Sequence, residues 1–461
     1  MQGLINLWKT VQDYIPNDKS DISWVAGCSV IVSSGLVLYT VKSVVQIYWT
    51  RKKLQQSGSK YLPGPFPWPI VGNCVSLSSN LYKTLYQYVE QPISLYFIAS
   101  TPFLVVTDEA AVRKVLGSGM YQKPKYFGYR SNTIRYSVEL NKRLAAMEEM
   151  RQQEADSSRK ALKAMIDSKV SEICTGMIGA VEAVVDAANG KEQVKAIRQK
   201  LIQLNLNILF GYQNLQDVRS LSRIIFEAGK EFILRTVNPF RIWWRWIANF
   251  KYFAYVFSLI AIGRRVCKHM DSQPATWVHG WVGKVGRIGK LGKVVGLIMA
   301  SSQTVPTTCL WLFVLLSKHP QAVEKIREET SRILQSSNKQ KVQELTMNEW
   351  NEFAYADAVV KECLRLYPPF PLLQREPEMD DILVDVKIPA KTPVYIVPWL
   401  LHHHPKYWSQ PEEFVPDRFL SKNTSHGDAP SDFVYIPFGR GSRMCAAVRF
   451  QVFICRTDNV S

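Results

Sequence analysis

The chain has 461 residues, of which 47% are apolar, 11% aromatic and 21% charged, which allows a large buried core and excludes a disordered or fibrous chain. Its net charge of +18 calls for a counter-surface: nucleic acid, an anionic membrane face or an acidic protein. The cysteines Cys28, Cys74, Cys174, Cys267, Cys309, Cys363, Cys445 and Cys455 are scattered without a CxxC pair, which argues against a disulfide framework or zinc ribbon and for a reducing compartment.

Residues 1–21 form a mixed-charge tail. From Ile22 to Tyr39 no residue is charged, a stretch of about 27 Å as a helix against a hydrocarbon core of about 30 Å. Extension to Tyr48 includes Lys42, which can snorkel to the headgroups. A transmembrane anchor is therefore expected over 22–48, with Trp24, Tyr39, Tyr48 and Trp49 near its ends. No basic segment or cleavage site suggests a removable signal peptide. Arg51, Lys52, Lys53 and Lys60 follow, whereas Asp13, Asp18 and Asp21 lie in the tail, so the bulk of the chain is expected in the cytosol. A buried core helix is the alternative. Residues 49–73 are basic and proline-rich, and the alternating prolines from Leu62 to Asn73 predict a stiff extended spacer.

Ser94–Ile98 and Phe103–Val106, flanking the turn Ala99–Pro102, predict a hairpin. Helical patterning then dominates without a repeat or second linker, so residues 74–461 are expected to form one domain. Between Pro239 and Arg265 the aromatics Trp243, Trp244 and Trp246 mix with Arg241, Arg245, Lys251, Arg264 and Arg265. Its apolar excess fits a membrane interface, or core helices with basic outer faces, better than nucleic acid.

His319-Pro320 opens a charged amphipathic helix with Glu324, Arg327, Glu328 and Arg332, preceded by the apolar run that holds Gln303, Thr304 and Pro306. Apolar Phe353, Ala356, Val359, Val360, Cys363 and Leu366 predict another helix, with Glu362 and Arg365 on one face. Alone, that pair is an ordinary surface ion pair. The run His402-His403-His404 is either a metal site or structural. Near the end, Cys445 follows a turn holding Gly439, Gly441, Arg440 and Arg443. Glycines permit close backbone approach, and N–H groups with positive charge favour a thiolate; a structural cysteine is the other reading.

Phe438, Gly441, Arg443 and Cys445 stand in the spacing Phe-x-x-Gly-x-Arg-x-Cys, which resembles the haem-binding loop of the cytochrome P-450 family, with Ala447 where the family has glycine. Glu362 and Arg365 resemble its Glu-x-x-Arg helix motif. Pro416-Asp417-Arg418-Phe419 resembles its Pro-Glu-Arg-Phe segment. The resemblance implies a buried structural network of Glu362, Arg365 and Arg418, with Cys445 as the axial ligand of the haem iron. It places Phe438, Gly441, Arg443 and Arg375 at the cofactor, the two arginines on its propionates. Ala300, Ser301, Ser302, Gln303 and Thr304 occupy the places of the oxygen-activating motif, so Thr304 and Gln303 are the catalytic candidates, with Pro306 expected to kink the helix. The amide at 303 and the proline resemble the branch of sterol 7α- and 12α-hydroxylases and prostacyclin synthase.

The fold implied is mostly α with a small β sheet (α+β), behind one transmembrane helix. The implied cofactors are haem b and, indirectly through a flavoprotein reductase, NADPH. The implied activity is a monooxygenase that inserts one oxygen atom of dioxygen into a lipophilic, sterol or fatty-acid-like substrate. Membrane lipids and the reductase are the expected partners, nucleic acid is not, and the expected location is the endoplasmic reticulum membrane, single-pass with a cytosolic catalytic domain. Because Gln303 cannot titrate, an isomerase acting on peroxides without external electrons is the alternative, and a non-catalytic haem- or lipid-binding membrane protein is another. Two departures stand out. The family's Trp-x-x-x-Arg helix has only Met150–Glu154 as a counterpart, with Arg151 or Arg159 as substitutes. Sixteen residues follow Cys445, fewer than in the family, so a truncated C-terminus is expected.

Overall fold

The apolar runs ISLYFI and TPFLVV are short and rich in β-branched and aromatic residues, which favours strands over helices. The computed structural model describes residues 37–54, 62–122, 168–185, 190–237, 245–272, 286–420 and 431–445, with the single positions 165, 447 and 448. In it these runs are β1 (Ile93–Ile98) and β2 (Thr101–Val106), antiparallel with Ile93 opposite Val106 and Ile98 opposite Thr101. The expected hairpin is present. β3 (Tyr121–Gln122), β4 (Leu373–Pro377) and β7 (Val394–Ile396) complete a sheet of order β1-β2-β7-β4-β3, while β5 (Asp381–Leu383) and β6 (Val386–Ile388) form a separate hairpin. β7 joins β2 in parallel and β4 antiparallel, so a late segment of the chain closes onto an early one.

The helices are α1 (37–53), α2 (Cys74–Ser79), α3 (Leu81–Tyr86), α4 (Glu109–Gly117), α5 (Val170–Val185), α6 (Gly190–Phe210), α7 (Leu215–Val237), α8 (Arg245–Ser272), α9 (Arg287–Lys318), α10 (Pro320–Ser336), α11 (Met347–Trp350), α12 (Ala354–Leu366) and α13 (Pro398–His402). The architecture is thus mostly helical with a small sheet, as the sequence implies. Val294, Ile298, Val305, Cys309 and Leu312 of α9 lie in the largest apolar cluster, with residues of α5 to α8, α10 and α12. A second cluster joins the sheet to α4. The segment 239–265 divides: 239–244 lies outside the described residues, while α8 buries Leu259, Ile262 and Val266 in the main core and pairs Arg265 with buried Asp217 of α7. Its second half is a core helix with a basic outer face.

Of the anchor expected over 22–48, residues 22–36 lie outside the described residues. The rest is helical and continues as α1 to residue 53, past the expected boundary at 48, because Arg51, Lys52 and Lys53 are good helix formers. Ser43 and Ile47 face the fold, and Ser43 Oγ accepts a hydrogen bond from Ile70 N at 3.0 Å. Val37, Leu38, Val41, Val44, Val45, Tyr48 and Trp49 are exposed. Among the described residues one helix is long and apolar enough to cross a membrane, α9, and it contributes to the main core.

The proline-rich stretch is extended, as its prolines require, but it is not a free spacer. Leu95 N donates to Pro63 O at 2.8 Å, and a Cβ at Gly64 would lie 2.1 Å from Leu95 O, so only glycine permits this approach. Asn73, 1% exposed, fastens the end of the stretch. Its Oδ1 accepts from Phe97 N at 2.8 Å and its Nδ2 donates to Phe66 O at 3.1 Å. Asn73→Ala leaves a buried strand amide without its acceptor, so stability should fall by about 1–3 kcal/mol, measured by denaturant unfolding of the protein in detergent or nanodiscs.

Candidate functional site

The helix α12 turns Glu362 and Arg365, three residues apart, to the same side, and both are fully buried. A buried guanidinium is tolerated only if its donors are met. Here Arg365 Nε and Nη2 bind Glu362 Oε2 and Oε1, each at 2.8 Å. Its Nη1 donates to His402 O at 2.8 Å and Pro411 O at 2.6 Å, and Nη2 also to Glu413 O at 2.9 Å. Glu362 Oε1 further accepts from Val415 N at 3.0 Å and Arg418 Nε at 3.3 Å. Arg418 sits on the 3₁₀ turn Pro416–Phe419 and reaches Ser409 O at 3.1 Å. Trp408 lies beneath both arginines, 5.1 and 5.9 Å from ring centroid to guanidinium carbon. The structure therefore brings together the three residues expected to form the network. Such a cluster specifies geometry, and removing one member leaves a buried charge uncompensated.

His402 joins this cluster to the cysteine loop. Its Nε2 accepts from Ile436 N at 3.0 Å, so its Nδ1 must carry the proton and donate to Arg365 O at 3.1 Å. Burial holds its pKa well below the usual histidine value. From Ile436 the backbone turns through Phe438, and Cys445 N donates to Phe438 O at 3.0 Å. Cys445 Sγ accepts from Ala447 N at 3.4 Å, an interaction that favours negative charge on sulfur. Gly441, at φ 77°, abuts α4: a Cβ there would lie 1.9 Å from Leu116 O. Phe438 and Ala447 pack against the apolar cluster that includes Val305 and Cys363.

Thr304 and Gln303 lie in α9, which runs on through Pro306 without a break. Thr304 Oγ1 donates to Ala300 O at 2.8 Å, and Gln303 is exposed. Arg375 lies in β4 two residues after Leu373, hence on the same strand face, and Leu373 is the side chain nearest Gly439. Arg443 is half-buried in the 3₁₀ turn Gly441–Arg443. Arg151, Arg159 and Met150–Glu154 lie outside the described residues, as do all positions after 448.

Sequence reasoning left the histidine run between two uses. His403 Nδ1 bonds Trp399 O at 2.9 Å, and His404 Nδ1 accepts from Lys406 N at 3.1 Å. Burial pushes His403 down to about 4 and lowers His404 as well. The role of Trp408 was also missed; its place between the histidines and the Arg418 turn was the available signal.

Residues 290–450 match the family model for cytochrome P-450. Over this stretch the chain is similar to cytochrome P-450. Phenylacetaldehyde oxime monooxygenase of Prunus mume is 38% identical over 157 residues, which are 34% of this chain and 28% of that protein. Cytochrome P-450 71BT1 of Catharanthus roseus is 37% identical over 160 residues, 34% of this chain and 30% of the relative. The chain thus spans under a third of the length of these relatives. Cytochrome P-450 CYP82J17 of Trigonella foenum-graecum extends the likeness to 86% of this chain and 83% of its own length, at 23% identity. All three are plant proteins, and they lend no support to the sterol hydroxylase and prostacyclin synthase branch drawn from Gln303 and Pro306. Two shared residue types are too little to fix a branch.

Arg365→Ala removes the fork that serves five acceptors and takes one cation from buried Glu362, so about 3–5 kcal/mol of stability should be lost, read from chemical unfolding. The histidines set a pH dependence. Unfolded, each binds a proton below about pH 6.5, whereas folded His402 and His403 stay neutral. Their contribution is present above pH 6.5 and is lost as pH falls toward about 4. Melting temperature should decline over that window, and His402→Gln should flatten the decline.

Proposed function

We propose that the protein is a haem-thiolate monooxygenase, with Cys445 as the residue that would hold the haem iron. The observation that carries this reading is the continuous support from Glu362 and Arg365 through His402 to Ile436, which fixes the backbone leading into the Cys445 loop. The residues present fit haem: a sulfur that accepts a backbone N–H, on a loop that Gly441 seats against α4, with the apolar Phe438 beside it. Haem b bound there supplies activation of dioxygen, with one oxygen atom entering a C–H bond of the substrate and the other leaving as water. The balance takes two electrons and two protons, the electrons from NADPH through a flavoprotein reductase. The protein's net charge of +18 suits an acidic face on that partner.

Within this reading, Cys445 would hold the iron, and Arg375 and Arg443 would pair with the propionates. Thr304 holds a proton at Oγ1, and the exposed Gln303 amide orients hydrogen bonds next to it without titrating. A lipophilic substrate, sterol or fatty-acid-like, fits a chain that presents exposed apolar residues on α1 and at Phe66 and Trp68, 77% and 64% exposed. These surfaces, with Lys52 5.4 Å from the Trp49 ring centroid, support membrane anchoring through 22–48 in the endoplasmic reticulum, the catalytic domain (74–461) in the cytosol. The amide at Gln303 favours one second reading, rearrangement of a hydroperoxide without external electrons.

The reduced, carbon monoxide-treated protein in membranes should show a Soret band near 450 nm, and Cys445→Ala should abolish it. A band near 420 nm in the unaltered protein, or none, would overturn the proposal. Product formed with hydroperoxide alone, and none with reductase and NADPH, would select the second reading. Thr304→Ala should leave the band in place and lower the rate of product formation by roughly 100-fold or more, the scale of one proton-transfer group.

A further inference from the structure

Helix α12 begins without a cap of its own: Phe353 stands at its N-cap and offers no side-chain acceptor. The first amides of a helix have no partner within it. Two of them are met from another helix. Glu329 of α10, 7% exposed, accepts from Tyr355 N at 2.8 Å and Ala356 N at 2.9 Å, one on each carboxylate oxygen. One turn earlier on the same face of α10, Lys325 Nζ lies 3.2 and 3.3 Å from the Asp417 carboxylate oxygens and 5.0 Å from the Tyr355 ring centroid. Asp417 immediately precedes Arg418. One face of α10 thus holds both the start of the helix that carries Glu362 and the turn that carries Arg418, the two pieces that must meet at Glu362 Oε1.

We propose that Glu329 is a positioning residue for the Cys445 centre, acting as the N-terminal cap of α12 from a neighbouring helix, with Lys325 aligning the Arg418 turn. The mechanism is mechanical. Glu362 lies about 10 Å along the helix from Tyr355, so a shift of α12 along its axis moves Glu362 and Arg365 together against His402 and Arg418. A carboxylate suits the site because it brings one acceptor to each amide and complements the positive end of the helix dipole. The Lys325–Asp417 pair is about half exposed and contributes less. The link to the cofactor rests on the reading of Cys445 as a haem ligand; the link to the ion network does not.

The test is hydrogen–deuterium exchange of the full chain in nanodiscs, with the carbon monoxide spectrum taken on the same samples. Glu329→Ala should speed exchange at 354–357 and, with it, at 415–418 and 434–445. Glu329→Gln, which keeps one acceptor, should fall between it and the unaltered protein and guards against a variant that does not fold. Lys325→Ala should affect 415–418 alone. Of the haem retained, the share absorbing near 420 nm should rise in the order unaltered, Gln, Ala. Exchange that rises only at 354–357, or uniformly along the chain, would overturn the proposal. If the exchange pattern holds while the unaltered protein gives no 450 nm band, the clamp stands and the haem reading falls.

Discussion

Burying the guanidinium of Arg365 is the constraint on which the surrounding structure depends. It cannot shed its proton, so every donor needs an acceptor at a fixed angle. The acceptors are drawn from Glu362 on its own helix and from the carbonyls of His402, Pro411 and Glu413. A segment of chain more than ten residues long is therefore wrapped around one side chain. The arrangement costs desolvation and gives in return a single geometry for everything attached to it.

What is attached is the route to Cys445. His402 uses its carbonyl for Arg365 and both ring nitrogens for backbone, so the helix and the loop backbone are registered through one neutral imidazole. On the other side, Gly441 lets the loop close against the end of α4, which belongs to the sheet cluster. The cysteine thus sits where the helical core and the sheet core meet. Leu373, beside Gly439 on β4, places Arg375 on the same face, and β7 ties that strand back to the early hairpin.

Much of this was legible in the sequence, and the reasons differ by element. The β1–β2 hairpin and the helix α12 follow from local periodicity, and the network residues from motif spacing. The docking of the proline-rich stretch was not legible, since extended chain carries no mark of the strand edge it will meet. Asn73 reads as a loop residue until Phe97 lies opposite it. Glu329 was hidden for a related reason: a cap supplied by another helix leaves no signature next to the helix it caps. Hydropathy bounds the expected anchor at 48, whereas helix propensity carries α1 on through Arg51 to Lys53. The branch inferred from Gln303 and Pro306 rested on two residue types alone.

The network is proposed to hold Cys445 where its sulfur would bind a haem iron. Iron K-edge X-ray absorption of the purified ferric protein tests this directly, because it detects the atoms bonded to iron without reference to activity. One sulfur neighbour at bonding distance is expected in the unaltered protein and none in Cys445→Ser. A first shell of nitrogen and oxygen alone in the unaltered protein, or a sulfur that persists after the substitution, would contradict it.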